Sequence, residues 1–447
     1  MTNGQPWAIL RLTKGMSMAK RHQNQQGNLE SLFLRMEELV LANSGEDEFE
    51  EVFKLLVAKL WDEQSQQSKF YRYSTDEATF EAIAKLMREA KKKWSGVLNE
   101  VTSKLTPEHL SICVEALSRH RISNESLDVI DSFFEFIVSK SVKGAKGQYF
   151  TPRHVIELCV RILKPSSGEK ILDPACGSGG FLLHTLKFIK QHEKLDNEGE
   201  IQGFCSEKLW GFDIDAKATR VAKALMILAG DGSSNIIKLN SLLKPEMIGL
   251  FSNTGEPNLT IEDVCRSLIK RHKGFDVILT NPPFAGEIRE ASFLNCYKLA
   301  NKKSRIERDV LFIERCLELL RPGGRLAIVL PHNKFAGKSF EFLRQWILRK
   351  ARILAVIGLG RNTFMPHTHQ KASILILKKK SFGKSIPSDY NIFFAITEKD
   401  GKNSKGQFVL HKSVARLENT WEDIDHDFSE VVEGFETFLK QENIDFE

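Results

Sequence analysis

The segment from Phe275 to Thr280 has the apolar character of a strand and leads directly into the turn Asn281-Pro282-Pro283-Phe284. Prolines have no N–H and fix φ, so the carbonyl groups of this turn are open to a donor from outside the protein. An exocyclic amino group is such a donor. The Asn281 side-chain oxygen and the Pro282 carbonyl can accept its two N–H bonds, while Phe284 offers a flat face to a base. The same residues also make a rigid strand-ending turn, and this short motif alone does not separate the two interpretations.

A second motif favours the chemical interpretation. Residues 168–181 predict a short strand ending at Asp173, a glycine-rich loop and the start of a helix. Such a loop lets the backbone approach a ligand and directs free N–H groups of the helix toward it. Asp213 ends the next candidate strand, where an acidic residue can bind ribose hydroxyls. The loop lacks the spacing G-x-G-x-x-G, and Asp173 indicates an amine as well as a ribose. S-adenosylmethionine carries both.

A third segment makes the pattern specific. The segment is Gly147-Gln148-Tyr149-Phe150-Thr151-Pro152-Arg153, and it precedes both the glycine loop and the Asn281 turn. With these three motifs in this order, the chain resembles the amino-group DNA methyltransferases. The resemblance is closest to the modification subunits of type I restriction-modification systems, and this motif order is the adenine-N6 arrangement of that family. Residues 309–313 and 321–331 resemble the helix, turn and strand that follow the catalytic motif. The resemblance covers roughly residues 45–380, far more than a short pattern matches by accident.

The resemblance implies a role for each motif. Cofactor-binding residues are expected in the clasping segment, the glycine loop and the ends of two further strands: Gln148, Tyr149, Phe150, Thr151, Pro152, Arg153, Asp173, Ala175, Gly177, Ser178, Gly179, Gly180, Asp213, Ile214 and Asn240. Thr151, Asp173 and the loop would hold the methionine end, Asp213 the ribose, and Ile214 the adenine ring. Asn240 stands where the family usually has an Asp, and its amide oxygen can still accept a hydrogen bond, so we expect weaker binding rather than loss.

The resemblance also implies the reaction. Asn281, Pro282, Pro283 and Phe284 would form the catalytic motif. The expected reaction transfers a methyl group from S-adenosylmethionine to N6 of an adenine that is flipped out of the duplex and stacked on Phe284. Two alternatives stay open: a methyltransferase that acts on RNA or on a protein glutamine, and a noncatalytic cofactor-binding subunit of a defence complex.

Strands and helices alternate between about residues 145 and 380. Apolar runs predict seven strands, at 170–173, 209–213, 236–239, 275–280, 325–330, 353–359 and 372–377. We therefore expect an α/β, doubly wound, seven-stranded core of the S-adenosylmethionine-dependent methyltransferase type. Ligands of such sheets lie beyond the carboxyl ends of the strands, where Asp173, Asp213, Asn240 and Asn281 all fall.

The remaining sequence predicts four segments. A polar N-terminus, residues 1–28, precedes a helical domain at 29–140, whose apolar residues recur at helical spacing. The methyltransferase domain is expected at 141–380. A C-terminal extension at 381–447, with strand-like residues 392–396, is expected to make subunit contacts. That extension is short for a domain that reads DNA sequence.

Composition is compatible with this interpretation. The chain is 42% hydrophobic and 27% charged, and its apolar runs are shorter than the ~20 residues that span a bilayer. No secretory segment is recognisable, so we expect a cytoplasmic protein with no membrane contact and seven free thiols. The net charge of +6 permits binding to DNA without requiring it. No metal site is expected, because the pair His367 and His369 lacks a third ligand.

The expected partners follow from the resemblance and from the short C-terminal extension. They are double-stranded DNA, a separate specificity subunit that recognises the target sequence, a restriction subunit in some assemblies, and a second copy of this chain. We expect the isolated chain to bind S-adenosylmethionine but to methylate DNA poorly.

Overall fold

The computed structural model divides the chain into two compact units, Met1–Lys143 and Gly144–Glu447. The residues that it describes are 26–38, 44–122, 130, 131, 133, 134, 136, 150–195, 197–230, 235–247, 260–268, 274–381, 383, 389–414, 419 and 421–444. Most of the polar segment 1–28 therefore lies outside the described residues. In the described part no helix is long and apolar enough to cross a membrane.

The first unit is helical. Its helices are α1 Gln26–Met36, α2 Glu48–Gln64, α3 Asp76–Lys93 and α4 Pro107–Ser118. Polar side chains begin three of them, because Asp47, Thr75 and Thr106 each accept a hydrogen bond from a free N–H of the first turn. The expected apolar faces of α2 and α3 are largely buried, for example at Phe53 and Met87.

The second unit is built on an eight-stranded sheet in the order β10-β8-β9-β7-β4-β1-β2-β3. Its strands are β1 Ile171–Asp173, β2 Leu209–Asp213, β3 Asn235–Lys238, β4 Phe275–Thr280, β7 Leu320–Pro331, β8 Ala351–Gly358, β9 Ala372–Lys379 and β10 Phe393–Ile396. A separate antiparallel pair consists of β5 Glu287–Ile288 and β6 Ile306–Glu307. All seven expected strands are present. The eighth, β10, lies within the segment 381–447 and pairs with β8.

The helices of the second unit precede, connect and follow these strands. They are α5 Arg153–Leu163, α6 Gly180–Glu193, α7 Glu198–Lys208, α8 Ala216–Leu228, α9 Ile261–Leu268, α10 Ala291–Leu294, α11 Arg308–Leu319, α12 Asn333–Ala336, α13 Glu341–Lys350 and α14 Phe428–Gln441. Within the eight-stranded sheet, pairing is parallel except at β9, which runs antiparallel to β7 and to β8. The α/β expectation is confirmed.

The strand order reverses beside β1. The chain proceeds outward from β1 through β2 to β3, whereas β4 lies on the other side of β1. The connections therefore diverge at the carboxyl ends of β1 and β4 and leave a crevice where ligands of such sheets bind. The register sets Leu172 opposite Ile278, so Asp173 and Thr280 both emerge at that crevice. The central strands β1 and β4 are largely apolar and buried on both faces, as expected where helices cover a sheet.

Candidate functional site

The glycine loop joins β1 to α6 in a tight path. The main-chain N–H of Ala175 donates to the Asp173 carboxylate at 3.0 Å, and that of Cys176 donates to the Phe212 carbonyl at 2.9 Å. Gly179 has φ +91°, and a Cβ there would lie 3.1 Å from the Ala222 Cβ, so glycine is required. The expected loop is thus present, and it packs closely on α8, the helix that carries Ala222.

The outer side of the same loop is open. Gly177 has φ +52°, and a Cβ built on it meets no described atom within 4 Å. Gly180 begins α6, and no side chain caps that helix start. A helix start without a side-chain cap and open space at a glycine turn form a suitable cradle for a polar ligand.

Asp213 ties the second strand to this loop. Its carboxylate accepts hydrogen bonds from the Gly177 N–H at 2.9 Å and the Asp215 N–H at 2.8 Å. Burial raises the pKa of Asp213 above the usual range, while these two donors oppose the shift. The neighbouring Ile214 is 53% exposed, which is unusual for a large apolar side chain beside a crevice. Asp213 and Ile214 therefore place an acceptor and an apolar surface next to the cradle.

Asn240 follows β3 in a loop held from two sides. Its side-chain oxygen accepts from the Leu242 N–H at 3.1 Å and keeps a second lone pair. The Ser241 hydroxyl donates to the Pro174 carbonyl at 2.5 Å, which links this loop to the glycine loop. The Arg315 Nε donates to the Ser241 carbonyl at 2.8 Å. Sequence reasoning missed Arg315, although a charged residue within the apolar run of α11 was an available signal.

Asp173 connects the glycine loop to the end of β4. The Thr280 hydroxyl donates to the Asp173 carboxylate at 2.7 Å, in addition to the Ala175 N–H. Burial raises the pKa of Asp173 to about 7, and the nearby Asp213 adds to that effect. The two hydrogen bonds favour the charged form and act in the opposite direction. Asp173 therefore lies where the two sides of the crevice meet.

The Asn281 side chain is oriented by a residue far away in the sequence. Its Nδ2 donates to the Thr151 hydroxyl oxygen at 2.9 Å. Its Oδ1 is buried and has no hydrogen-bond partner among the described residues. A buried acceptor without a partner carries a free-energy cost of about 1–3 kcal/mol, which a ligand donor can remove.

The residues of the turn after Asn281 are more buried than a surface that is fully open to a stacking base. Phe284 is 8% exposed, and its ring packs edge-on against Phe364, with centroids 5.7 Å apart and planes at 65°. Pro282 is buried and Pro283 is partly exposed. The turn is therefore rigid, and the buried Asn281 Oδ1 at its start has no hydrogen-bond partner among the described residues.

The clasping segment is described only from Phe150 onward; Gln148 and Tyr149 lie outside the described residues. Pro152 precedes the first residue of α5, Arg153, which is buried. The Phe150 ring lies 6.4 Å from that of His367. Thr151 is brought to Asn281, while Ser178 is buried within the glycine loop.

A C-terminal segment that sequence reasoning did not connect with the site supports it. The Asp400 carboxylate accepts from the Asn362 N–H at 2.8 Å, and the Lys402 ammonium donates to the Met365 carbonyl at 3.0 Å. The Asp400 carbonyl also accepts from His154 Nε2 at 3.0 Å. Burial lowers the pKa of His154 to about 3, so its ring is neutral at pH 7. Residues 360–366, which carry Phe364, are thus fastened to α5 through Asp400.

Among the described residues no group of three His, Cys, Asp or Glu side chains is arranged to hold a metal ion. All seven cysteines are free thiols, and burial raises the pKa of Cys176 well above its usual value. Cys176 therefore serves as a packed residue of the loop.

Comparisons with known proteins relate the chain to one family of enzymes. The family model described as N-6 DNA Methylase matches residues 125–445. The chain is 28% identical over 313 residues to the type II restriction enzyme and methyltransferase RM.BcgI of Heyndrickxia coagulans, covering 68% of this chain and 43% of that protein. It is 26% identical over 315 residues to the type I restriction enzyme EcoKI methylase subunit of Escherichia coli K12, covering 67% and 53%. The chain spans about half the length of these curated relatives.

A solved structure confirms the fold. The type I restriction-modification system methyltransferase subunit from Streptococcus thermophilus superposes with a TM-score of 0.62 at 17% identity, and the match covers 93% of each chain. The family model spans well over half of the sequence and includes every described residue of the crevice. This chain therefore belongs to the N-6 DNA Methylase family.

Proposed function

We propose that this chain is the modification subunit of a type I restriction-modification system and methylates N6 of adenine in double-stranded DNA. Membership of the N-6 DNA Methylase family supports the reaction, and the similarity to type I methylase subunits supports the assembly. One observation carries the proposal to specific atoms. Asn281 Oδ1 is a buried acceptor with no partner in the described part of the chain, and it lies directly before Pro282.

The target amine would be held by this acceptor. N6 of adenine is conjugated with its ring, so its lone pair is a weak nucleophile. Hydrogen bonds from its two N–H groups to Asn281 Oδ1 and the Pro282 carbonyl favour a more tetrahedral nitrogen. Its lone pair can then form the new N–C bond while the methyl–sulfur bond breaks and that electron pair stays on sulfur. One N6 proton passes through these acceptors to water.

Positioning supplies most of the rate enhancement in this scheme. Holding two reactants in alignment can lower a barrier by ~7–11 kcal/mol in favourable cases. An adenine within a duplex cannot reach Asn281, so it must flip out at a cost of a few kcal/mol. The flipped base would stack against Phe284, whose ring packs edge-on against Phe364.

The residues around the glycine loop fit S-adenosylmethionine, which would supply an electrophilic methyl group on a sulfonium. Thr151, Asp173 and the main chain from Ala175 to Gly180 would hold its methionine end. Asp213 would accept from the ribose hydroxyls, and the exposed Ile214 would pack on the adenine. The open face above Gly177 supports this assignment.

The proposal includes partners. A separate specificity subunit would recognise the DNA sequence, two copies of this chain would act in each complex, and a restriction subunit could join it. The assembly would act in the cytoplasm. The isolated chain is then expected to bind S-adenosylmethionine and to methylate DNA poorly. Substantial sequence-specific methylation by the pure chain would contradict this part of the proposal.

A map of modified bases tests the function. Genomic DNA from cells that carry this gene with its natural neighbours is compared with DNA from cells that carry Asn281→Ala. The proposal predicts N6-methyladenine at a defined motif only with the intact residue. Identical maps would overturn it and favour RNA, a protein glutamine or a noncatalytic role.

A further inference from the structure

We infer that Thr151 is a positioning residue that sets which way the Asn281 amide faces, and that cofactor binding fixes this choice. The inference rests on the proposed function and concerns the order of events within the site. It starts from one contact, in which Asn281 Nδ2 donates to the Thr151 hydroxyl oxygen at 2.9 Å.

The amide has two orientations with opposite consequences. In the observed one, Nδ2 meets Thr151 and the buried Oδ1 is left without a described partner, so it can accept from the N6 amine. A rotation by about 180° exchanges oxygen and nitrogen. The Asn281 NH₂ would then face the N6 amine donor to donor, and no productive hydrogen bond could form. Catalysis therefore requires the observed orientation.

A threonine hydroxyl alone does not enforce that orientation, because it carries one donor and also accepts. It can accept from Nδ2 or, after the amide rotates, donate to Oδ1. The choice is removed once the hydroxyl donates its proton elsewhere. The only role left toward Asn281 is then that of an acceptor, which requires Nδ2 to face Thr151.

The cofactor carboxylate is the acceptor that would commit the Thr151 proton. Thr151 is expected to lie at the methionine end of the cofactor. It directly precedes Pro152 at the start of α5, and the Pro152 carbonyl accepts from the Val155 N–H at 2.9 Å. The Thr151 backbone is thereby tied to a helix end while its hydroxyl touches Asn281. One hydroxyl thus connects occupancy of the cofactor site with presentation of the catalytic acceptor.

The consequence is an ordered site. Cofactor binding should raise the affinity of the pocket for a flipped base, and by reciprocity a flipped base should tighten the cofactor. This coupling passes through Thr151 and should survive in Thr151→Ser, which keeps the hydroxyl. It should be lost in Thr151→Val, which keeps the shape and removes both hydrogen-bonding functions.

The experiment uses the complete assembly and a duplex of the mapped site that keeps adenine at the target position and carries 2-aminopurine next to it. The fluorescence of 2-aminopurine rises when the adenine flips out and no longer stacks on it. S-adenosylhomocysteine, which carries the same carboxylate, is the probe. We expect it to increase the flipped fraction about tenfold for the wild type and Thr151→Ser, and less than twofold for Thr151→Val. Single-turnover methylation at saturating cofactor should fall at least tenfold for Thr151→Val and less than threefold for Thr151→Ser.

Thr219→Val is the matched control. Thr219 is a buried threonine whose hydroxyl donates to the Ala216 carbonyl at 3.1 Å within α8. It should keep the full coupling. Should Thr151→Val fail to fold, judged by its thermal unfolding, Thr151→Ala takes its place in the same measurement.

The outcomes separate the inference from the function. An active wild type with full coupling in Thr151→Val would overturn the role of Thr151 and leave the methyltransferase assignment intact. A Thr151→Val protein that needs more cofactor but reaches the wild-type rate at saturation would reduce Thr151 to a cofactor ligand and also overturn the inference. A wild-type assembly that methylates no DNA would overturn both.

Discussion

The two sides of the crevice are held together differently. On the β1–β2 side, main-chain N–H groups of the loops donate to Asp173 and Asp213, and each carboxylate serves a donor two residues away in the sequence. On the β4 side, Asn281 depends on Thr151, 130 residues earlier. The cofactor side is therefore organised in part by local sequence, with Gly177 and Thr280 as its distant donors. The hydrogen bond that orients Asn281 forms only after distant segments have folded together.

Asp173 belongs to both sides, and its ionisation tests how they are joined. The pKa of about 7 lies above the ~3.9 of an Asp in an unfolded chain. The folded state thus holds a proton that the unfolded state lacks between about pH 4 and pH 7. The free energy of unfolding should fall as pH rises through this window and level off above it. The contribution of Asp173 to the free energy of unfolding should decrease by about 3 kcal/mol between pH 5 and pH 8, at ~1.4 kcal/mol per pH unit.

Asp173→Asn should remove this contribution, because the neutral amide keeps the oxygen that accepts from Ala175 and Thr280. Urea unfolding of both proteins without cofactor at pH 5 and pH 8 measures the effect. The stability difference between them should change by about 3 kcal/mol. Equal changes with pH in the two proteins would show that Asp173 is not the linked group.

Asp213→Ala should separate binding from catalysis. It removes the expected ribose acceptor and leaves the Gly177 and Asp215 N–H groups without their carboxylate. The Kd for S-adenosylmethionine should rise about 100-fold, or ~2.7 kcal/mol, while methylation at saturating cofactor stays within about threefold of the wild type.

Titration calorimetry and single-turnover assays measure these two quantities. Glu193→Ala is a suitable control, because that carboxylate accepts from Ser167 at the far end of α6 and should leave Kd unchanged. A loss of rate at saturation as large as the loss of affinity would contradict the separation of the two sides.

Gly179→Ala should show how strongly the cofactor side depends on the conformation of the glycine loop. The positive φ and the short distance to Ala222 predict a loss of about 2 kcal/mol in stability. The matched change Gly203→Ala falls inside α7, where a Cβ meets no described atom within 4 Å. It should stabilise the protein by about 0.5–1 kcal/mol. Urea unfolding distinguishes them, and effects of the same sign would refute the conformational argument.

The same contrast explains what could be predicted from sequence. Asp173, Asp213 and Asn281 were recognisable because each ends an apolar run, and the ends of parallel strands share one edge of a sheet. β10 was recognisable only as a strand-like run, because four residues do not indicate which strand they pair with. Its pairing with β8 forms only in the folded chain. The core therefore continues into the segment that the sequence had assigned to an extension.

Other features required the folded chain. Neither Thr151 nor Asp400 has a local pattern that indicates its contact, because each contact joins segments far apart in sequence. The raised pKa of Asp173 depends on burial, which no motif encodes. The glycine loop could be recognised because its function and its conformation lie in the same short stretch.

The separation of the two sides is tested most directly by measuring cofactor binding and methyl transfer on one preparation of Asn281→Ala within the complete assembly. Calorimetry gives the Kd for S-adenosylmethionine, and nucleoside analysis of the DNA product gives N6-methyladenine. We predict a Kd within about threefold of the wild type and a rate at least about 10³-fold lower, as found when a group acting in the transition state is removed. Methylation within about tenfold of the wild-type rate would contradict the assignment of Asn281 as the acceptor for the target amine.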